Sequence, residues 1–266
     1  MMPMRSKWLA ALFALSCVFA NSAGAATPKP LRILFVGNSL TYVGNLPAVV
    51  EALAADNGKS LQADMIVKGG ATLTQWLDSG AVPRALKARH YDYVILQERG
   101  NDFACGFGRQ VCNDSRHALH ALAGVARGAG AKPILMGTYQ IGHDASETLV
   151  GAESKAAKAE GMPYIDVSTG LNEGRERVPY DDWFAKAGHP GHDLVLLEAV
   201  LVYRQLYGGL PQSRPLEVHA PMFVPGSKFA PPAPVSEPLL PEIPLAGGYA
   251  YSRGDVANAV ALAGSR

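Results

Sequence analysis

Cysteine is scarce in this sequence, with three residues in 266. That is too few for a disulfide-built miniprotein or for a zinc site made of four thiolates. Charge is sparse as well: 24 basic residues stand against 23 acidic ones, and a formal net charge of +1 leaves no excess of Lys and Arg to displace phosphate counterions. Nucleic acid is therefore set aside as a partner. Long apolar runs are also missing. The run over residues 8–20 falls short of the roughly 20 residues that cross a hydrocarbon core, so no integral membrane span is expected. A chain of this length and ordinary composition can bury its own core, without metals or cross-links, as one domain of moderate size.

The N-terminus reads as a secretory signal. Arg5 and Lys7 give a positive start, the apolar run follows, and Ala23-Gly24-Ala25 supplies the small residues of a cleavage site after Ala25. The expected organisation is a signal peptide over 1–25, a domain over 26–210 and a Pro-rich extension over 211–266 packed on it, with a periplasmic or secreted location. Cys17 falls inside the signal, and Leu15-Ser16-Cys17 is a poor lipoprotein box. That leaves Cys105 and Cys112, with six residues between them in a Gly-containing segment, as an expected loop disulfide in an oxidising compartment. The spacing is not C-x-x-C, and no second Cys/His pair completes a zinc set, so neither metal nor other cofactor is expected.

Apolar runs of strand length occur at 31–36, 61–67, 91–97, 133–137 and 164–167. Helix-length segments separate them: 45–56, with Leu46, Val49, Val50 and Leu53 at helical spacing, a segment capped by Asp114 or Ser115 and running to about Arg127, then 145–160 and 192–207. This alternation predicts a mainly parallel five-stranded sheet covered on both faces, with chemistry in the loops at the carboxyl ends of the strands. From Pro211 onward the chain is rich in proline and reads as a poor strand former, with a short final helix over 255–263.

The first strand runs into Gly37-Asn38-Ser39, just before a predicted helix. Alone, that tripeptide reads equally as turn and helix-cap chemistry. Three further segments change its meaning: Gly70-Ala71-Thr72 after the second strand, Gly100-Asn101-Asp102 after the third, and a late His189-Pro190 before an amphipathic helix. In order and wording these four segments resemble the blocks of the SGNH (GDSL-like) hydrolase family, over roughly residues 31–209. The resemblance implies a three-layer α/β/α fold of flavodoxin-like type whose four blocks meet at one sheet edge. It implies Ser39 as nucleophile, His189 as general base, and an oxyanion hole built from the Ser39 and Gly70 N–H groups and the Asn101 side-chain amide.

One block departs from the pattern. The family carries Asp three residues before the catalytic His, and here that position is Lys186. Asp181, Asp182 and Asp193 are near in sequence; Asp182 is taken as the third catalytic residue, with a backbone carbonyl holding the imidazole, and hence a Ser-His dyad, left open. His192, three residues after His189, is an alternative base or a surface residue. Tyr42 and Trp76 read as substrate-mouth or packing aromatics, and Glu98 and Arg99 as substrate contacts or an exposed ion pair. The remaining histidines, His90, His117, His120, His143 and His219, fall in no block. The resulting expectation is an exported serine esterase for small acyl esters, with acylated saccharide the preferred substrate. The competing expectation is a silent domain of the same fold that binds saccharide or a cell-envelope partner, and a redox or metal protein built on the two cysteines is a distant third.

Overall fold

The computed structural model describes residues 29–175, 177, 180–235 and 248–265. The expected signal peptide and the prolines at 238–244 lie outside the described residues. The elements in chain order are β1 (Leu31–Gly37), α1 (Ser39–Tyr42), α2 (Leu46–Asp56), β2 (Leu61–Val67), α3 (Leu73–Ser79), α4 (Ala81–Ala88), β3 (Tyr93–Gln97), α5 (Arg109–Gly128), β4 (Lys132–Met136), α6 (His143–Ala159) and β5 (Tyr164–Ile165). There follow α7 (Ser168–Gly174), α8 (Tyr180–Trp183), α9 (His192–Tyr207), β6 (Leu216–Val218), β7 (Ala233–Pro234), β8 (Tyr249–Tyr251) and α10 (Arg253–Gly264).

β1 explains the layering. Ile33 and Phe35 point to one face of the sheet, Leu34 and Val36 to the other, and all four are at most 1% exposed. A strand buried on both faces reads as an unbroken apolar run, which is why the strands are legible in the sequence. Residues of α3 to α6 complete the core on the Leu34 side, and residues of α2, α7, α8, α9 and α10 complete it on the Ile33 side. The strands lie in the order β5-β4-β3-β1-β2-β7, and the first five are parallel. The chain leaves β1 toward β2 and then crosses to β3 on its other side, so the order reverses at β1. In open α/β sheets the crevice at the carboxyl end of such a switch point is the place for a ligand.

Two elements differ from the sequence reading. The sheet has a sixth strand, because Ala233–Pro234 of the Pro-rich segment pairs antiparallel with Met65 and Asp64 of β2. An outer strand tolerates proline, since no further neighbour needs its missing N–H. Helix α5 starts at Arg109, not at Asp114 or Ser115: Gly108, at φ 102°, makes the turn into it with no side-chain cap. Other described parts of the tail are tied in as well. β6 and β8 form a two-stranded ribbon, and Asn45 Nδ2 donates to the carbonyls of both Pro221 and Val235, at 2.7 and 3.1 Å. One buried amide thus closes the strap 221–235 into a loop beside α1, where Phe229 and Tyr42 have ring centroids 5.0 Å apart.

Candidate active site

Ser39 is the first residue of α1, directly beyond the end of β1. The turn that presents it is tied from three directions. Trp76 Nε1 donates to the Gly37 carbonyl at 2.7 Å. Asn38 Nδ2 donates to the Ala71 carbonyl at 3.1 Å while its Oδ1 caps the Leu40 N–H at 3.0 Å. Thr41 Oγ1 donates to Gln97 Oε1 on β3 at 2.5 Å. A side chain at residue 37 would collide with Thr41, so only glycine permits this approach.

Because β2, β1 and β3 are neighbours, the segments following them lie side by side at one edge, with Ser39 in the middle. Gly70 follows β2 with φ +68°, and Asn101 follows β3 with φ +74°. Among the described residues, the Ser39 N–H, the Gly70 N–H and the Asn101 side-chain amide have no hydrogen-bond acceptor. Three unengaged donors along one edge, beside a serine, are what a developing oxyanion requires.

The Asn101 turn is itself braced. Its amide group lies across Gly106, where a Cβ would strike it. The Cys105–Cys112 disulfide, with Cα atoms 4.9 Å apart, fastens that stretch to α5, as the sequence predicts. Arg99 grips the fully buried Asp102 carboxylate through Nε at 3.1 Å and Nη2 at 2.8 Å, with its guanidinium over the Phe107 ring. It is therefore neither a free substrate contact nor a plain surface pair. Glu98 is buried, and its carboxylate accepts from the Leu73 N–H at 3.1 Å and the Arg99 N–H at 2.8 Å, bolting the second block to the third. Burial pushes its pKa up to about 7, against the lowering effect of those two N–H donors. Tyr42 and Trp76 are likewise buried supports, Tyr42 accepting from the Gly226 N–H, and not the lining of a mouth.

The histidine half of the site is built differently. Trp183 to Gly191 forms a narrow reversal closed by Gly191 N–H to the Trp183 carbonyl at 2.9 Å and Ala185 N–H to the His189 carbonyl at 2.8 Å. At its tip Ala187 and Gly188 are both left-handed, at φ 60° and 72°. For alanine that conformation costs about 1–2 kcal/mol. His189 Nδ1 lies 2.8 Å from the Lys186 carbonyl oxygen. A carbonyl only accepts, so Nδ1 carries the proton, and in the neutral ring the lone pair is then on Nε2. The main chain of Lys186 thus makes the hydrogen bond for which the sequence offered either the Asp182 carboxylate or a backbone carbonyl, and the carbonyl is the one present. Asp182 is exposed and acts electrostatically on His192 and Asp193. Ser39 Oγ and His189 Nε2 share no hydrogen bond among the described residues, an arrangement that commonly tightens only around substrate.

His192 is half-buried. It stacks on Tyr251 with centroids 3.9 Å apart, and burial pushes its pKa below 6.5, partly offset by Asp255 and Asp182. The same burial, with the nearby Asp182 and Asp255, pushes the pKa of Asp193 up to about 6. Among the described residues, no cluster of His, Cys, Asp and Glu could hold a metal ion, and no helix is long and apolar enough to cross a membrane.

Solved structures share this architecture. A candidate SGNH hydrolase from Slackia heliotrinireducens matches at 25% identity and TM-score 0.55 over 67% of this chain and all of its own. A DUF4886 family protein from Bacteroides uniformis matches at 15% and 0.57, over 68% of this chain and 84% of its own. An acetylxylan esterase from Geobacillus stearothermophilus matches at 17% and 0.55, over 69% and 97%. The fold is the one these hydrolases and esterases share. No family model matches the chain, and no curated protein matches it in sequence.

Proposed function

We propose that this chain is an exported serine esterase that removes small acyl groups, acetyl foremost, from carbohydrate. The observation that supports the proposal is the edge where Gly70, Ser39 and Asn101 follow three adjacent parallel strands, with three donors that have no acceptor among the described residues. Ser39 Oγ attacks the ester carbonyl carbon as its proton passes to His189 Nε2. The oxyanion is held by the Ser39 and Gly70 N–H groups and by Asn101 Nδ2. Collapse of the tetrahedral adduct expels the alcohol, which takes the proton from His189, and water then repeats the sequence on the acyl-enzyme.

The imidazolium formed in each half-reaction is steadied by the Lys186 carbonyl dipole in place of a full negative charge. In a serine protease, replacing the triad carboxylate by an amide costs about 10⁴ in turnover, largely through the wrong tautomer. Here the tautomer is right, so the dyad is slower than a triad but competent. The acetyl preference draws on the esterase from Geobacillus, which acts on acetylated xylan. Export draws on the N-terminal pattern and the disulfide.

The second reading, a silent domain that binds saccharide, is favoured by one feature, the missing acid at Lys186. Both are tested by the chain beginning at Ala26, assayed on a short-chain aryl acetate and on acetylated xylo-oligosaccharide beside Ser39→Ala and His189→Ala. Acetate release by the parent, and its loss in both variants with folding intact, supports the esterase. No release from either ester, with oligosaccharide binding that survives Ser39→Ala, establishes the silent domain instead.

A further inference from the structure

The turn that aligns His189 holds two consecutive left-handed residues, and the Lys186 carbonyl that orients the imidazole stands at its start. The backbone bonds of the reversal, with a long one from the His189 N–H to the Lys186 carbonyl at 3.5 Å, work against a local preference: alanine favours the right-handed region, and relaxation of Ala187 would swing the Lys186 carbonyl away from Nδ1. A further hold comes from another side chain on the Ile33 face of the sheet. Tyr139, just beyond β4, donates its hydroxyl to the Gly188 carbonyl at 2.8 Å. Its ring lies against Phe184, at the root of the same turn, with centroids 5.9 Å apart.

Tyr139 is well placed to act as a fixed post, because both of its neighbours are anchored. On one side, the Thr138 N–H and Oγ1 both donate to Glu153 Oε1, at 3.0 and 2.8 Å. On the other, the Gln140 N–H donates to Ser168 Oγ at 3.0 Å, and its carbonyl accepts from Asn172 Nδ2 at 2.9 Å. A side-chain carboxylate can adjust to an imidazole through its own torsions, whereas a main-chain carbonyl goes only where its turn goes. We propose that Tyr139 is a positioning residue for the general base: by holding the Gly188 carbonyl it fixes the strained 186–188 turn, and through it the Lys186 carbonyl that sets the His189 ring. This inference rests on the esterase reading above for its catalytic consequence, though not for its geometry.

The test is Tyr139→Phe, which keeps the ring and its contact with Phe184 and removes one hydroxyl. With a short-chain aryl acetate, kcat is expected to fall about fivefold with KM unchanged, the size expected for one neutral hydrogen bond. In ¹⁵N-labelled protein the His189 Nδ1 proton should exchange faster with water than in the parent. A double-mutant cycle with Ala187→Gly supplies the coupling: glycine removes the cost of the left-handed turn, so Tyr139→Phe should lose most of its effect in that background. Equal kcat and an equally protected Nδ1 proton in Tyr139→Phe would overturn the proposal, as would simple additivity with Ala187→Gly. If Tyr139→Phe does not fold, the proposal is judged on Ala187→Val, whose β-branched side chain resists the left-handed region: the Nδ1 proton should exchange faster than in the parent, and unchanged protection counts against it. The proton signal is read whether or not the protein turns over an ester. An inactive parent therefore defeats the esterase reading, and with it a catalytic role for Tyr139, while the exchange rate still reports whether the hydroxyl fixes the ring.

Discussion

The two halves of the site contrast in how they are held. The nucleophile half grows directly from the switch point of the sheet: Ser39, Gly70 and Asn101 follow three adjacent strands, and buried bonds from Trp76, Asn38, Thr41 and Glu98 cross between their loops. The proposed histidine half sits on a reversal outside the sheet, with a main-chain carbonyl for a partner and, besides the backbone bonds of the reversal, one side-chain hydroxyl for a brace. A site can thus have its electrostatics preorganised by the fold and its proton shuttle set by a turn. The first is costly to disturb and the second is adjustable.

The comparison breaks most visibly at the nucleophile. Ser39→Ala should lower kcat/KM on an aryl acetate by about 10³ or more, since no other group can form the acyl-enzyme. Asn101→Ala should cost about 10²–10³ in kcat by removing one oxyanion donor. Gly106→Ala should reproduce part of that loss without touching the donor itself, by displacing the Asn101 amide. A Gly106→Ala enzyme as fast as the parent would mean that the brace is dispensable.

Further predictions sharpen the contrast through stability. Replacing both Cys105 and Cys112 by Ser opens a short closed loop worth about 2–3 kcal/mol and should lower Tm by about 5–10 °C, read by calorimetry. The pH dependence has a definite sign. Burial pushes Glu51, Glu98 and Glu153 up to about 7 from 4.5, so the folded state binds protons that the unfolded chain releases. Their stabilising contribution is complete below pH 4.5 and is lost as pH rises through 7. Denaturation midpoints should therefore be lower at pH 8 than at pH 6, and Glu153→Gln should flatten the difference. The smallest effect is expected on the histidine side: Asp182→Asn should change kcat by less than about twofold, because the Lys186 carbonyl already occupies Nδ1. A large loss would restore a carboxylate to the mechanism.

What could be read in advance follows the same division. Residues 31–36 and 61–67 are legible as strands because burial on both faces demands unbroken apolar runs, and the polar residues that end them then fall at one edge. The blocks around Ser39, Gly70 and Asn101 share that legibility. Strand β7 is not legible, because two residues with a proline carry no pattern and their pairing depends on β2 lying open. Nor is the partner of His189: a carbonyl belongs to every residue type, so a lysine in the sequence gives no sign that its main chain serves as acceptor. Trp76 and Glu98 have conspicuous side chains, yet their tasks depend on neighbours some twenty to forty positions away, which local pattern does not reach.

The clasp made by Asn45 sets an order of events. Its partners lie 176 and 190 positions further along the chain, and the strap they close packs on Tyr42, three residues beyond the nucleophile. Ser39 is thus among the first parts of the domain to be synthesised, while the strap beside its helix is among the last. A nascent or truncated chain that stops before Pro221 has its serine but lacks the strap that packs against the helix bearing it. Maturation of the catalytic edge is in this way tied to completion of the polypeptide.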